Sequence, residues 1–344
     1  MLVHSINWVR GLSLSPDLGH RMSFSFNFIP SEGNGAEKSY GVAPLCQESE
    51  DARNSKPFFW LKATFFEFLR LCSMPLQGAH DLIPLHDMEA ESSVPHFLAR
   101  VNQRTKASSY KESDLVPGEY EGGDVVWECS LDLCRYLHRK NIKVRGHVLE
   151  LGCGHGLPGC WVLSEARKDM DQHTSVCFTD YNEFVLDATI ANIVLNISPP
   201  HLQRAPSELA RWLAEHAPLG AGDWNELSRL LQNSSSGGSD MMLPVGIPPD
   251  GLFDCILGAE TTYSASAADS TARFVSNHLK CNGVAYIATK RYYFGVGGGS
   301  DAFRESLLRY STRVGEFQVE TVEVYDNGRG NIRELLRVRR QSSL

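Results

Sequence analysis

Residues 148–156 read Val-Leu-Glu-Leu-Gly-Cys-Gly-His-Gly, an apolar run that breaks into glycines alternating at positions 152, 154 and 156. The run predicts a short buried strand over His147–Leu151 that ends in a tight turn, with a helix starting directly after it. Outward from that turn the pattern repeats. Upstream, Ser130–Lys140 (SLDLCRYLHRK) places Leu131, Cys134 and Leu137 or His138 on one side of an amphipathic helix. Downstream, a helical stretch leads to a strand at Ser175–Thr179 and a second helix through Leu195. Strands at Phe253–Leu257 and Val284–Thr289 flank a helix around Thr271–Leu279. A helix near Asp301–Tyr310 then precedes strands Phe317–Tyr325 and Arg333–Arg339. Strands alternating with helices predict an α/β fold, Rossmann-like, with a mostly parallel sheet covered on both faces. The turn signal Asp326-Asn327-Gly328 needs no crossover helix, so the last strand is expected to be antiparallel.

Two stretches break the alternation. Residues 225–250 hold NSSSGGSD and PVGIPPDG and read as a long loop. Residues 1–105 form a separate, partly disordered extension, with 106–341 as the main domain. Inside the extension, residues 30–56 are polar and without period, and Met22–Phe28 alternates like a short strand. Phe58, Leu61, Phe65, Phe68 and Cys72 fall at helical spacing, which suits packing onto the neighbouring domain better than a partner-binding helix.

Composition excludes several classes. With 33 Lys+Arg against 41 Asp+Glu the net charge is −8, which argues against a general nucleic-acid binder. The longest apolar candidate, Pro57–Cys72, is interrupted by Lys62, Glu67 and Arg70, so no membrane span is expected. The nine cysteines include no CxxC pair, so no metal centre is expected. No secretory signal is visible at the start, and the cysteine usage points to a reducing compartment, cytoplasm or nucleus.

The glycine turn has two chemical readings. Gly154-His-Gly156-Leu-Pro-Gly159 matches the dinucleotide GxGxxG pattern. Against that, Glu150 stands two residues before the first glycine. A carboxylate there suits S-adenosylmethionine, whose amino-acid end offers an ammonium and which has no pyrophosphate to cradle. Asp180, at the end of the next strand, is placed to accept ribose hydroxyls in either cofactor, with a helix cap as the competing role. Gly222-Asp223-Trp224 closes the third strand and fits an adenine slot or a simple turn. His155 reads as a turn residue rather than a base. Trp127 presents an aromatic face suited to positive charge, or packs in the core.

Together these segments resemble the protein-histidine methyltransferase family, a branch of the seven-β-strand methyltransferases. The specific pieces are Tyr120-Glu-Gly-Gly123, Trp127-Glu-Cys129, the glycine turn, Asp180-Tyr-Asn182, Gly222-Asp-Trp224, Ala259-Glu-Thr-Thr-Tyr263 and Lys290-Arg-Tyr-Tyr-Phe-Gly-Val-Gly-Gly-Gly299. They run in order over about residues 113–340. The resemblance implies a seven-stranded sheet, S-adenosylmethionine as methyl donor, and transfer to a ring nitrogen of a protein histidine, the family's acceptor being a large-subunit ribosomal protein. It implies a donor site built from Val126, Trp127, Glu128, Glu150, Gly152, Gly154, Gly156, Asp180, Tyr181, Asn182, Gly222, Asp223, Trp224 and Ala259. The family usually has serine where Ala259 stands. Met22–Phe28 resembles the family's usual start, which makes residues 1–21 an upstream extension.

A histidine acceptor needs no strong base, because an unperturbed pKa of about 6.5 leaves a neutral ring nitrogen at pH 7. The site has to fix the tautomer by holding the other ring N–H. Glu260 is the candidate, at the carboxyl edge of the fourth strand; a carboxylate serving the donor or the backbone is the competing role. Phe294–Gly299 reads as a mobile lip over the acceptor pocket. Lysine methylation, a non-catalytic donor-binding assembly factor for ribosomes, and a dinucleotide oxidoreductase are the alternative functions.

Overall fold

A computed structural model describes residues 56–61, 64–73, 81–84, 96–99, 122–123, 125–197, 206–235, 243–313, 315–326, 328 and 332–342. All of them fall within one compact unit, Ser49–Leu344. The expected strand at Met22–Phe28, the polar stretch up to residue 55 and the motif residues Tyr120 and Glu121 lie outside the described residues.

The chain opens with β1 (Phe59–Trp60), α1 (Thr64–Ser73), and a separate antiparallel pair, β2 (Asp81–Pro84) and β3 (His96–Ala99). The regular alternation then begins with α2 (Glu128–Arg139), β4 (His147–Leu151), α3 (Leu157–Lys168), β5 (Ser175–Asp180), α4 (Leu186–Ile197), α5 (Pro206–His216), β6 (Leu219–Ala221) and α6 (Trp224–Ser235). It closes with β7 (Phe253–Ala259), α7 (Ala265–His278), β8 (Leu279–Lys290), α8 (Ser300–Tyr310), β9 (Phe317–Tyr325) and β10 (Arg333–Arg340). The main sheet has the order β1-β6-β5-β4-β7-β8-β10-β9. Strands β6, β5, β4, β7 and β8 are parallel. As expected, the last strand, β10, is antiparallel, and it pairs with β8 on one side and β9 on the other.

Two expectations need correction. The sheet has eight strands, because Phe59 and Trp60 pair antiparallel with Ala221 and Gly220 as an added edge. The helical stripe therefore starts later than its spacing suggested: Phe58 belongs to the edge segment and only Phe65, Phe68 and Cys72 lie on α1. This stretch packs onto the sheet unit, with Phe68 and Leu71 in the same core as Leu209 and Leu213 of α5. The supposed loop 225–250 opens as α6, because Leu227 and Leu231, one turn apart, bury against the second core.

The sheet separates two apolar layers. One joins α1 to α5 through Val148, Val176 and Phe178; the other joins α6, α7 and α8 through Leu149, Leu151, Cys177 and Ile256. The alternation along β4 sends Leu149 and Leu151 to one face, and Val148 and Glu150 to the other. From β4 the chain winds outward to β5 and β6 on one side and to β7 and β8 on the other. This reversal opens a crevice at the carboxyl ends of the strands. Among the described residues, no helix is long and apolar enough to cross a membrane, and no three His, Cys, Asp or Glu side chains are grouped to hold a metal.

Candidate functional site

The crevice is a cavity of about 830 Å³ lined by the ends of β4, β5, β6, β7 and β8, by the glycine turn and by the approach to α2. Gly152, Gly154 and Gly156 all adopt left-handed backbone, at φ of 56°, 52° and 69°. The turn is held by its own amides: Cys153 N–H donates to Thr179 O at 2.9 Å, and Gly156 N–H to Cys153 O at 2.6 Å. Gly154 N–H donates to Asp180 Oδ2 at 3.0 Å.

Glu150 is 2% exposed, and its Oε2 accepts the Gly159 N–H in the first turn of α3 at 2.9 Å. Burial pushes its carboxyl up to about 8, the hydrogen bond opposing and the Asp180 charge assisting. An acid so placed is poised for an ammonium, which would restore the ionised form. Asp180 is pushed up to about 6 by burial, against the pull of the Asn182, Gly154 and Tyr181 N–H groups and of Lys56. Its two oxygens already accept backbone hydrogen bonds, from Gly154 and, at 3.0 Å, from Asn182. Asp180 is not the helix cap, a position that Asn182 takes before the turn that follows; its carboxylate ties the end of β5 to the glycine turn, and each oxygen has a second lone pair.

Most of the expected donor residues converge here. Val126, Trp127, Glu150, Gly152, Gly154, Gly156, Asp180, Tyr181, Asp223, Trp224 and Ala259 line the cavity with Glu260. Three expected residues do not. Glu128 points outward, its side chain 61% exposed. Asn182 contributes its backbone N–H to Asp180 behind the wall. Gly222 serves packing: a Cβ there would sit 2.4 Å from the Pro57 carbonyl oxygen. That side of the cavity is braced by a residue the sequence did not single out. Lys56 accepts the Asp223 N–H on its carbonyl at 3.2 Å and donates from Nζ to Tyr181 O at 2.8 Å, 4.8 Å from the Tyr181 ring centre.

At the other end, Glu260 follows β7 with φ 58°, a conformation that costs a residue with a side chain about 1–3 kcal/mol. Its N–H donates to Ala288 O at 2.9 Å, which fixes it to β8. The Tyr293 hydroxyl donates to Glu260 Oε2. Burial, followed by the Glu260 charge, pushes the Tyr293 phenol far above its ordinary value. Glu260 Oε1 is buried with no hydrogen bond, and the Lys290 ammonium stands 3.6 Å away. Lys290 lies 5.3 Å from the Trp127 ring centre and 5.5 Å from that of Tyr293, so the cation facing Trp127 belongs to the protein. Neither Lys290 nor Tyr293 was assigned from sequence; a lysine ending a central strand was the available signal. The lip is tied at one end by Gly299 N–H to Thr262 O at 2.8 Å and by a bridge from Gly297 to Ser264. Its tip is open, with Phe294 82% exposed.

The sheet order, the alternating glycines and the paired acids at the ends of β4 and β5 form a crevice of the kind that takes S-adenosylmethionine. The cavity fits that donor: a carboxylate for an ammonium, a second for ribose, and a glycine floor that side chains would fill. A Cβ on Gly152, for example, would come within 3.3 Å of the Trp224 ring. A sequence profile of a family described as lysine methyltransferase matches residues 117–218. The histidine protein methyltransferase 1 homologue of Dictyostelium discoideum is 35% identical over 228 residues, covering 66% of this chain and 60% of that protein. The homologue of Rattus norvegicus is 32% identical, covering 63% and 56%. Histidine protein methyltransferase 1 of Schizosaccharomyces pombe is 31% identical, covering 59% of each. The chain is thus similar in sequence to proteins named histidine protein methyltransferase 1, and it spans between half and two thirds of their length.

Proposed function

We propose that the protein transfers a methyl group from S-adenosylmethionine to a ring nitrogen of a histidine in another protein. The observation that carries this reading is the state of Glu260 at the acceptor end of the cavity, with one oxygen engaged by Tyr293 and the other buried without a hydrogen bond, faced by the Lys290 ammonium at 3.6 Å. A neutral imidazole has one N–H and one lone pair. If Oε1 takes the N–H, the lone pair is left on the opposite nitrogen to face the methyl group. When bound, the donor supplies an electrophilic methyl group on a positively charged sulfur. The chain's own contribution is alignment, plus a carboxylate that stabilises the positive charge developing on the ring. Because Tyr293 holds Oε2, Oε1 is the oxygen left to accept the ring N–H, which would favour the tautomer with its lone pair on the other nitrogen.

The acceptor we propose is a large-subunit ribosomal protein, as the resemblance implies, and the compartments we propose with it are the cytoplasm and nucleus. Incubation with labelled donor and acid-extracted ribosomal proteins, followed by hydrolysis and amino-acid analysis, tests the reading. Label in methylhistidine is the expected result. Label in methyllysine, or none, refutes it.

A further inference from the structure

The glycine turn contains a side chain whose polar atoms the fold does not use. His155 is 4% exposed and lines the cavity, and neither of its ring nitrogens has a hydrogen-bond partner. Burial pushes its pKa down to about 4, so at neutral pH it is an uncharged imidazole with one N–H to give. Buried polar groups left unmatched cost roughly 1–3 kcal/mol each, so such a ring is expected to meet a partner supplied from outside the fold.

The rest of the turn has little to offer an anion. The amides of Cys153, Gly154 and Gly156 are already bonded, and the neighbouring Glu150 and Asp180 side chains are acids. The donor's amino-acid end carries an ammonium and a carboxylate on the same carbon, so the partner of the carboxylate has to lie close to the group that takes the ammonium. Glu150 is that group, and its Oε2 is fixed to the first turn of α3. His155 stands one residue before the N-cap of that helix, Gly156, and the helix N-terminal end favours negative charge. Two other candidates are placed less well. Lys290 is paired with Glu260 at the acceptor end. The Trp224 indole N–H is also unpartnered, but it belongs to α6, beside Asp223 on the nucleoside side.

We propose that His155 reads the carboxylate of the donor's amino-acid end, giving it the ring N–H while Glu150 holds the adjacent ammonium; this rests on S-adenosylmethionine being the donor. The role is one of binding specificity. It is tested by calorimetry with two ligands, S-adenosylhomocysteine and its decarboxylated analogue S-adenosyl-3-thiopropylamine, which keeps the ammonium. His155→Ala should weaken the first by about 10- to 100-fold, the range of a hydrogen bond to a charged group, and the second by less than about threefold. His155→Gln, which retains an N–H, should recover most of the loss. Equal losses for both ligands would mean that the ring only packs, and would overturn the proposal. So would unchanged affinities, a Gln variant no better than Ala, or the selective loss appearing in Trp224→Phe instead. Failure of the wild-type protein to bind S-adenosylhomocysteine would refute the donor assignment itself, a separate outcome.

Discussion

Tyr293 and Glu260, thirty-three residues apart, meet because β7 and β8 are parallel neighbours whose carboxyl ends stop side by side, and the phenol donates to one carboxylate oxygen. If that contact sets the acceptor tautomer, Tyr293→Phe should lower kcat by about 10- to 100-fold, the worth of one hydrogen bond to a charged group, with the donor Kd unchanged. Glu260→Gln should retain part of the turnover because its amide oxygen still accepts, and Glu260→Ala should lose more. Single-turnover assays with calorimetry separate the two constants. A weakened donor Kd with intact kcat at saturation would assign Glu260 to the donor.

Glu150 makes stability depend on pH. Its carboxyl titrates near 4.5 ordinarily and near 8 in the fold. Below 4.5 both folded and unfolded chains carry the proton. As pH rises toward 8 the unfolded chain ionises first, and the donor-free protein loses stability. Glu150→Gln removes this dependence while its carbonyl still accepts the Gly159 N–H. Melting curves should show little difference at pH 4.5 and a higher Tm for the variant, by on the order of a few degrees, at pH 8. The same variant should bind S-adenosylhomocysteine more weakly. A variant less stable at pH 8 would contradict the account.

Asp180→Ala should reduce both donor affinity and stability. It strips the acceptor from the Gly154 and Asn182 amides, at roughly 1–3 kcal/mol for each buried group left unmatched. Denaturant unfolding and calorimetry on the same preparation provide the check. A loss of affinity at unchanged stability would show that water replaces the carboxylate at the turn.

Gly298 seats the lip on the chain after β7. A Cβ there would come within 2.1 Å of the Thr262 carbonyl oxygen and 2.5 Å of the Tyr263 carbonyl carbon. Gly298→Ala should therefore cost about 1–3 kcal/mol, as overpacked sites do. Gly295→Ala meets no atom within 4 Å and should cost only the strain of its φ of 80°. Protease cleavage at the lip should rise in the first variant and not in the second.

Local pattern was enough wherever one element decides its own state. The strands at His147–Leu151 and Phe317–Tyr325 lie where their apolar patterns place them. It failed where a turn signal sits inside a longer element. The strand expected over Val284–Thr289 in fact runs as β8 from Leu279, through Asn282 at φ 64° and Gly283. The helices α5 and α6 were missed although Leu209 and Leu213, like Leu227 and Leu231, repeat at helical spacing; loop-forming residues beyond Ser234 dominated the reading. In the site, the carboxylates and glycines were legible because a strand end followed by a turn is local. The roles of Lys56, Lys290 and Tyr293 were not, since each depends on which strands become neighbours.

The two margins of the sheet are guarded in different ways. At one, the two residues of β1 cover the polar backbone of β6, and a two-residue strand offers little template for another chain. At the other, β9 is long, but its pairing with β10 is kinked by a bulge at Leu335/Leu336. It also bears Glu320 and Glu323, which face Arg337 and Arg139 of the same chain. Intermolecular strand addition is thereby discouraged at both ends. Substitutions that neutralise Glu320 and Glu323 would expose the longer margin to self-association, a hazard that the chemistry of the cavity gives no hint of.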